Sequence, residues 1–191
     1  MKYFIISMPK SGTYLLSNLL EKFGIEQSYL HIGLTKYQKY DPKNLYDGRL
    51  NPLNYTHELD IKESLKLIKE NQVAVGHIPY NDTTNELLKD FKKIIITRKI
   101  DDINESAKRW QKLSRRGNSE RTNVKLRKIN AVLEWKNKEN IFHIEFDDII
   151  NLNEKKIDDL QIYLLGNIRF DSILSTKTSL SEKTLTKSHI R

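Results

Sequence analysis

Four short runs, at residues 3 to 6, 73 to 75, 94 to 96 and 141 to 146, are rich in Ile, Val and Phe and show little polar alternation. Runs of that length and makeup predict strands buried on both faces, as in a parallel sheet. Helical patterns separate them. Tyr14 to Leu20 reads as a helix directly after the first strand. Asp60-Ile61-Lys62-Glu63 has the form of a capping box opening a helix to about Glu70, and Asn81 or Asp82 caps another that ends near Phe91. Further helices are predicted from about Asp101 to Leu113, from about Thr122 to Lys138, and after Asn151 to about Leu165. Strand and helix in alternation give an α/β fold of three layers, a central open parallel sheet flanked by helices, with ligands expected at the carboxyl ends of the strands.

Three stretches resist that rhythm. Residues 35 to 58, dense in Tyr, Asn, Asp and Pro, predict an irregular loop or lid. Residues 114 to 121, with Arg115 and Arg116, read as a solvated basic loop, a polyanion contact being the sharper alternative. Residues 175 to 191 are rich in Ser, Thr and Lys and read as a tail ordered only with ligand. No repeat, linker or composition break divides residues 1 to 191, so one domain is expected.

The net charge of +8 biases the surface toward phosphate, sulfate, nucleic acid or acidic polymers without choosing among them. The absence of cysteine excludes disulfides, thiolate metal sites and thiol nucleophiles. The N-terminal apolar run is too short for a signal segment or a membrane span, so a cytoplasmic chain is expected.

Candidate chemistry begins at Met8-Pro9-Lys10-Ser11-Gly12-Thr13, between the first strand and the first helix. A tight turn carrying Lys, Ser, Gly and Thr into a helix N-terminus brings amide N–H groups and a cation together, which suits phosphate. It is not the turn of P-loop kinases, where Lys follows the second of two glycines; here Lys10 precedes the only one. A second candidate is Ile94-Ile95-Ile96-Thr97-Arg98, a strand ending in a forked cation, with Ser106 eight residues later on the next helix. A third is Val73-Ala74-Val75-Gly76-His77-Ile78-Pro79-Tyr80, a strand that delivers a histidine at its carboxyl end. His31, His57, His143 and His189 have no such address and read as structural.

These three segments, in the order they take along the chain, resemble the sulfotransferase superfamily, whose fold is P-loop NTPase-like and whose sulfuryl donor is 3′-phosphoadenosine 5′-phosphosulfate (PAPS), with PAP as the product. The resemblance covers roughly residues 1 to 110. It implies that Pro9 to Thr13 form the 5′-phosphosulfate loop and that Arg98 and Ser106 bind the 3′-phosphate. It also implies that His77 is the general base and that Lys10 lies against the bridging oxygen. The amides of Ser11, Gly12 and Thr13 and the Thr13 hydroxyl are expected to hold the phosphosulfate, and Tyr14 either donates its phenol there or packs the helix. No metal is called for, and the sequence offers no compact His/carboxylate cluster with ligand spacing. Tyr14-Leu15 stand where many cytosolic members have Thr-Trp, so adenine must be held in another way. Trp135 and the stretch Ile141 to Ile150 resemble the family's late strand and its Glu-Asp-Leu segment, with Phe146-Asp147-Asp148 departing from it, and are read as structural. Thr184 to Ser188 is similar to the Lys-Gly segment that clasps the 3′-phosphate, which makes Lys187 a tentative contact, although Ser188 replaces the glycine.

The expected activity is therefore sulfuryl transfer to a hydroxyl or amine by in-line displacement. The acceptor stays open among carbohydrate, phenol, lipid and peptide, with Tyr80 a tentative part of its site. Three readings compete: a nucleotide kinase, disfavoured by the order of the loop; a basic nucleic-acid-binding domain; and a PAPS- or PAP-binding protein without catalysis.

Overall fold

The computed structural model describes residues 1–40, 53–113 and 126–167. The basic segment 114 to 121, the tail 175 to 191 and Lys187 within it lie outside the described residues.

The apolar runs become strands of one seven-stranded sheet. β1 (Lys2–Ser7), β2 (Glu26–Ile32), β5 (Gln72–Gly76), β6 (Phe91–Thr97) and β7 (Ile141–Glu145) join β3 (Lys36–Tyr40) and β4 (Leu53–Glu58) in the order β4-β3-β2-β5-β1-β6-β7. The five strands from β2 to β7 in that order are mutually parallel, and β3 and β4 extend the β2 edge in antiparallel fashion. Burial on both faces explains the unbroken apolar runs. Tyr3 and Ile5 of β1 face one core with Ile94 and Ile96, while Phe4 and Ile6 face the other with Ala74 and Ile95. The first core is closed by α1 (Thr13–Lys22), α6 (Phe146–Ile150) and α7 (Glu154–Leu165). The second is closed by α2 (Ile61–Lys66), α4 (Ile100–Leu113), α5 (Leu126–Leu133) and the 3-10 turn Glu134–Asn137, whose Trp135 is fully buried. The result is a mostly parallel sheet flanked by helices, the α/β architecture expected from the alternating pattern.

Caps define the remaining helix boundaries. Asp60 accepts from the Glu63 amide to start α2, and Asn81 forms a capping box with Thr84 to start α3 (Asp82–Leu87). α2 stops at Lys66, short of Glu70, because the chain must turn through Asn71, at φ 59°, into β5. α3 ends at Leu87, and Phe91, expected near its end, opens β6 instead. Of the helix expected to Lys138, the last turn is 3-10. Phe146, expected at the end of a strand, opens α6, since Glu145 and Asp148 form a reciprocal capping box around it.

The β2 side departs from the sequence pattern in one missed strand and one corrected expectation. β2 escapes the pattern because Tyr29 takes a left-handed conformation (φ 57°) and the register to β5 shifts between Gln27 and His31, breaking the period of two. The expected loop at 35 to 58 contains β3 and β4, paired from Lys36↔Glu58 to Tyr40↔Leu53, with residues 41 to 52 outside the described residues. Tyr and Thr suit a pleated strand, and an edge hairpin can carry the polar residues that masked it.

Candidate active site

Parallel register places the three sequence candidates on adjacent strand ends. β1 lies between β5 and β6, so the loop after β1 is flanked by His77 after β5 and Arg98 after β6. The loop turns through two left-handed residues, Lys10 at φ 65° and Gly12 at φ 94°, and Gly12 is the N-cap of α1. Glycine is required at position 12 on two counts. Its φ is costly for other residues, and an added Cβ would lie 2.5 Å from Phe146 Cδ2.

The loop hydroxyls face inward. Ser11 is fully buried, and both its amide (3.3 Å) and its hydroxyl (2.7 Å) donate to the Met8 carbonyl, closing the turn. Thr13 Oγ1 donates to Ser7 Oγ at 2.8 Å. Two donors expected to face an anion, the Ser11 amide and the Thr13 hydroxyl, are thus used to shape the loop. The amides in the first turn of α1 have no intrahelical acceptor, as at any helix start.

His77 is held from β1. Its Nδ1 lies 2.7 Å from the Ser7 carbonyl and 3.2 Å from Ser7 Oγ. A carbonyl only accepts, so Nδ1 carries the proton and Nε2 keeps its lone pair. Burial pushes the imidazole down to about 4, against the Ser7 bond that raises it, and the charge of Lys10 lowers it further. Burial likewise pushes the Lys10 ammonium down to about 8. At neutral pH His77 is therefore neutral and Lys10 mostly charged, a neutral base beside a cation.

On the other flank, the Arg98 side chain is largely buried. Its Nη1 donates to the Lys10 carbonyl at 3.4 Å, its guanidinium lies 4.1 Å from the Phe146 ring centroid, and Asp102 Oδ2 is 3.9 Å from Nε. Its Nε is nevertheless buried without a hydrogen-bond partner among the described residues. A buried donor with its hydrogen bond unmade is costly. Ser106 lies on α4, partly buried, eight residues beyond Arg98. Tyr80 is engaged in packing: its ring meets Trp135 edge-on at 5.0 Å, Lys138 Nζ lies 4.1 Å from its centroid, and its amide donates to the Ala131 carbonyl. Trp135 Nε1 donates to the Ile78 carbonyl at 2.9 Å, which anchors the residue after His77.

Three residues of this arrangement were not singled out for function by motif. Ser7 orients His77, Phe146 supports Arg98 and abuts Gly12, and His31 packs edge-on against His77, with ring centroids 4.5 Å apart. A histidine near a parallel strand end was the only signal for His31, and the irregular β2 concealed it. Tyr14 meets that same histidine, its hydroxyl 3.2 Å from His31 Nδ1. Among the described residues no group of three or more His, Asp or Glu is placed to hold a metal ion, and no helix is long and apolar enough to cross a membrane.

No protein-family model and no curated protein matches the sequence. Solved structures do match the fold. One is mouse sulfotransferase SULT7A1 complexed with PAP, with a TM-score of 0.59 at 18% identity over 96% of this chain and 65% of that one. A second is retinol dehydratase in complex with androsterone and inactive cofactor PAP, with a TM-score of 0.59 at 15% identity over 98% and 66%. A third is the sulfotransferase domain from the curacin biosynthetic pathway, with a TM-score of 0.55 at 18% identity over 91% and 76%. The chain thus spans about two thirds of the length of the first two, and it has the fold of the sulfotransferases.

Proposed function

We propose that the protein is a sulfotransferase that moves the sulfuryl group of PAPS to a hydroxyl or amine acceptor. Fold alone does not specify chemistry, so the reading rests on the site. The observation that carries it is the convergence of three groups on neighbouring strand ends: the loop with Lys10, the Nε2 lone pair of His77 on one flank, and the Arg98 guanidinium on the other.

The residues fit a nucleotide carrying phosphate at both ends. Arg98, supported by Phe146, offers its guanidinium to the 3′-phosphate, with Ser106 as a second donor. Amides of Gly12, Thr13 and Tyr14 at the start of α1 receive the 5′-phosphosulfate. PAPS supplies an activated sulfur whose bond to the bridging oxygen breaks as the acceptor oxygen or nitrogen bonds to it from the opposite side. His77 Nε2 takes the acceptor proton, Ser7 having fixed the opposite nitrogen as donor. Lys10 neutralises charge at the bridging oxygen, where a partly desolvated cation is strongest.

Calorimetric titration with PAP, with AMP as the control ligand, tests the reading. PAP is expected to bind, AMP to bind far more weakly, and Arg98→Ala to lose about 10- to 100-fold in PAP affinity, the worth of hydrogen bonds to a charged group. A folded protein indifferent to PAP would sink the reading and return the basic surface to nucleic-acid binding.

A further inference from the structure

The proposed reaction uses one of two histidines that touch. His31 sits near the end of β2, opposite Val75 of β5 in the parallel register, two residues before His77. Their rings meet edge to face, with planes at 77° and centroids 4.5 Å apart. The Tyr14 hydroxyl, 3.2 Å from His31 Nδ1, ties that ring to α1. Tyr14 follows Thr13, whose hydroxyl reaches Ser7, and Ser7 holds His77 Nδ1. Adjacent residues of the first turn of α1 therefore reach His77 by two routes, one through Ser7 and one through His31.

We propose that His31 is a positioning residue for His77, holding the plane of its imidazole so that Nδ1 stays on the Ser7 carbonyl and Nε2 stays available as the base. The proposal rests on the reading of His77 as the base. Contacts to Ser7 at Nδ1 alone leave the ring free to rock about that atom, and histidine χ2 is a soft, broad torsion. An edge-to-face neighbour removes that freedom by packing, the preferred arrangement of flat rings with opposed face and edge charge. The neighbour must also stay neutral when His77 takes a proton. Burial pushes His31 down to about 3, and the His77 charge pushes it the same way, so the pair holds one proton rather than two. The Ser7 carbonyl bond, which raises His77, gives that proton to the base. Lys10, whose charge lowers His77, and the Tyr14 phenol also face the pair; on the β3 side the register neighbour of His31 is the uncharged Gln38.

The test compares wild type, His31→Ala and His31→Phe by nitrogen NMR of labelled histidine, by PAP calorimetry, and by turnover of PAPS with water as the acceptor. In His31→Ala the Nδ1-protonated form of His77 is expected to lose its dominance and its titration midpoint to rise toward 6.5. PAPS turnover is expected to fall about 10- to 100-fold, the cost of a misplaced catalytic group, with the KM for PAPS and the affinity for PAP within about twofold of wild type. His31→Phe keeps a flat ring and is expected to restore the His77 tautomer and most of the turnover. An alanine variant whose His77 tautomer and midpoint match wild type overturns the proposal, as does a parallel loss of PAP affinity and turnover. Should the alanine variant fail to fold, His31→Gln carries the same test, since it can hold Tyr14 but has no ring. Absence of PAP binding in the wild type overturns the sulfotransferase reading instead, while the His77 spectra still decide what His31 does.

Discussion

Replacing Gly12 by alanine perturbs the point where the loop, α1 and the Arg98 support meet. Two costs add. At φ 94° a side chain enters the left-handed region, at about 1–2 kcal/mol. The new Cβ would also lie 2.5 Å from Phe146 Cδ2, 3.0 Å from Cε2 and 3.4 Å from Ile96 Cδ1, an overpacking typically worth about 1–3 kcal/mol. The sum is about 2–5 kcal/mol. Gly166 at the end of α7 supplies the control, because its φ is 79° and a Cβ there meets nothing within 4 Å among the described residues, leaving only the backbone cost of about 1–2 kcal/mol. Urea denaturation of both variants isolates the clash as the difference between them. Because Phe146 lies 4.1 Å from the Arg98 guanidinium, relief of the clash by moving the ring also moves Arg98, so PAP affinity should fall in Gly12→Ala and hold in Gly166→Ala. Equal destabilisation of the two variants, with PAP affinity intact in both, refutes the reasoning.

The lowered values at His77 and Lys10 place the pH window of kcat/KM for PAPS. His77 works when neutral, so the acid limb should have its midpoint near pH 4; Lys10 works when charged, so activity should decline through about pH 8; an acid limb near 6.5 would show that burial does not govern His77. Stability should also depend on pH. His31, His77 and His143 are lowered to about 3, 4 and 4, so the unfolded chain binds more protons below its own value of 6.5. Their contribution is complete above about pH 6.5 and is lost as pH falls through the folded values, with roughly 1–2 kcal/mol lost between pH 7 and 5 for His77 alone. Urea midpoints that stay level over that interval would contradict it. His77→Ala should lower turnover by about 10²- to 10⁴-fold with PAP affinity nearly unchanged, and near-normal turnover would remove it as the base.

Local chemistry made much of this protein readable from residues alone. Runs such as Tyr3 to Ile6 and Ile94 to Ile96 are short, apolar at successive positions and rich in β-branched residues, as a strand covered on both faces is, so the parallel core and its flanking helices followed. The loop with Lys10 and Gly12, the histidine after Gly76 and the arginine after Thr97 were legible because each is contiguous with a strand end. What tertiary structure decided is which strands are neighbours and what each polar group meets. β2 hid behind the left-handed Tyr29 and a register shift, and with it went His31, whose packing on His77 exists only because β2 lies beside β5. The hairpin β3–β4 hid because edge strands need not alternate cleanly. Ser11 and Thr13 have the composition of phosphate ligands, yet their hydroxyls close on Met8 and Ser7, a choice between donors to ligand and donors to fold that depends on distances across the loop. Phe146 shows the same division. Its aromatic character is in the sequence, but its place between Gly12 and Arg98 arises from strand order, which brings residues 12, 98 and 146 together across three parallel strand ends.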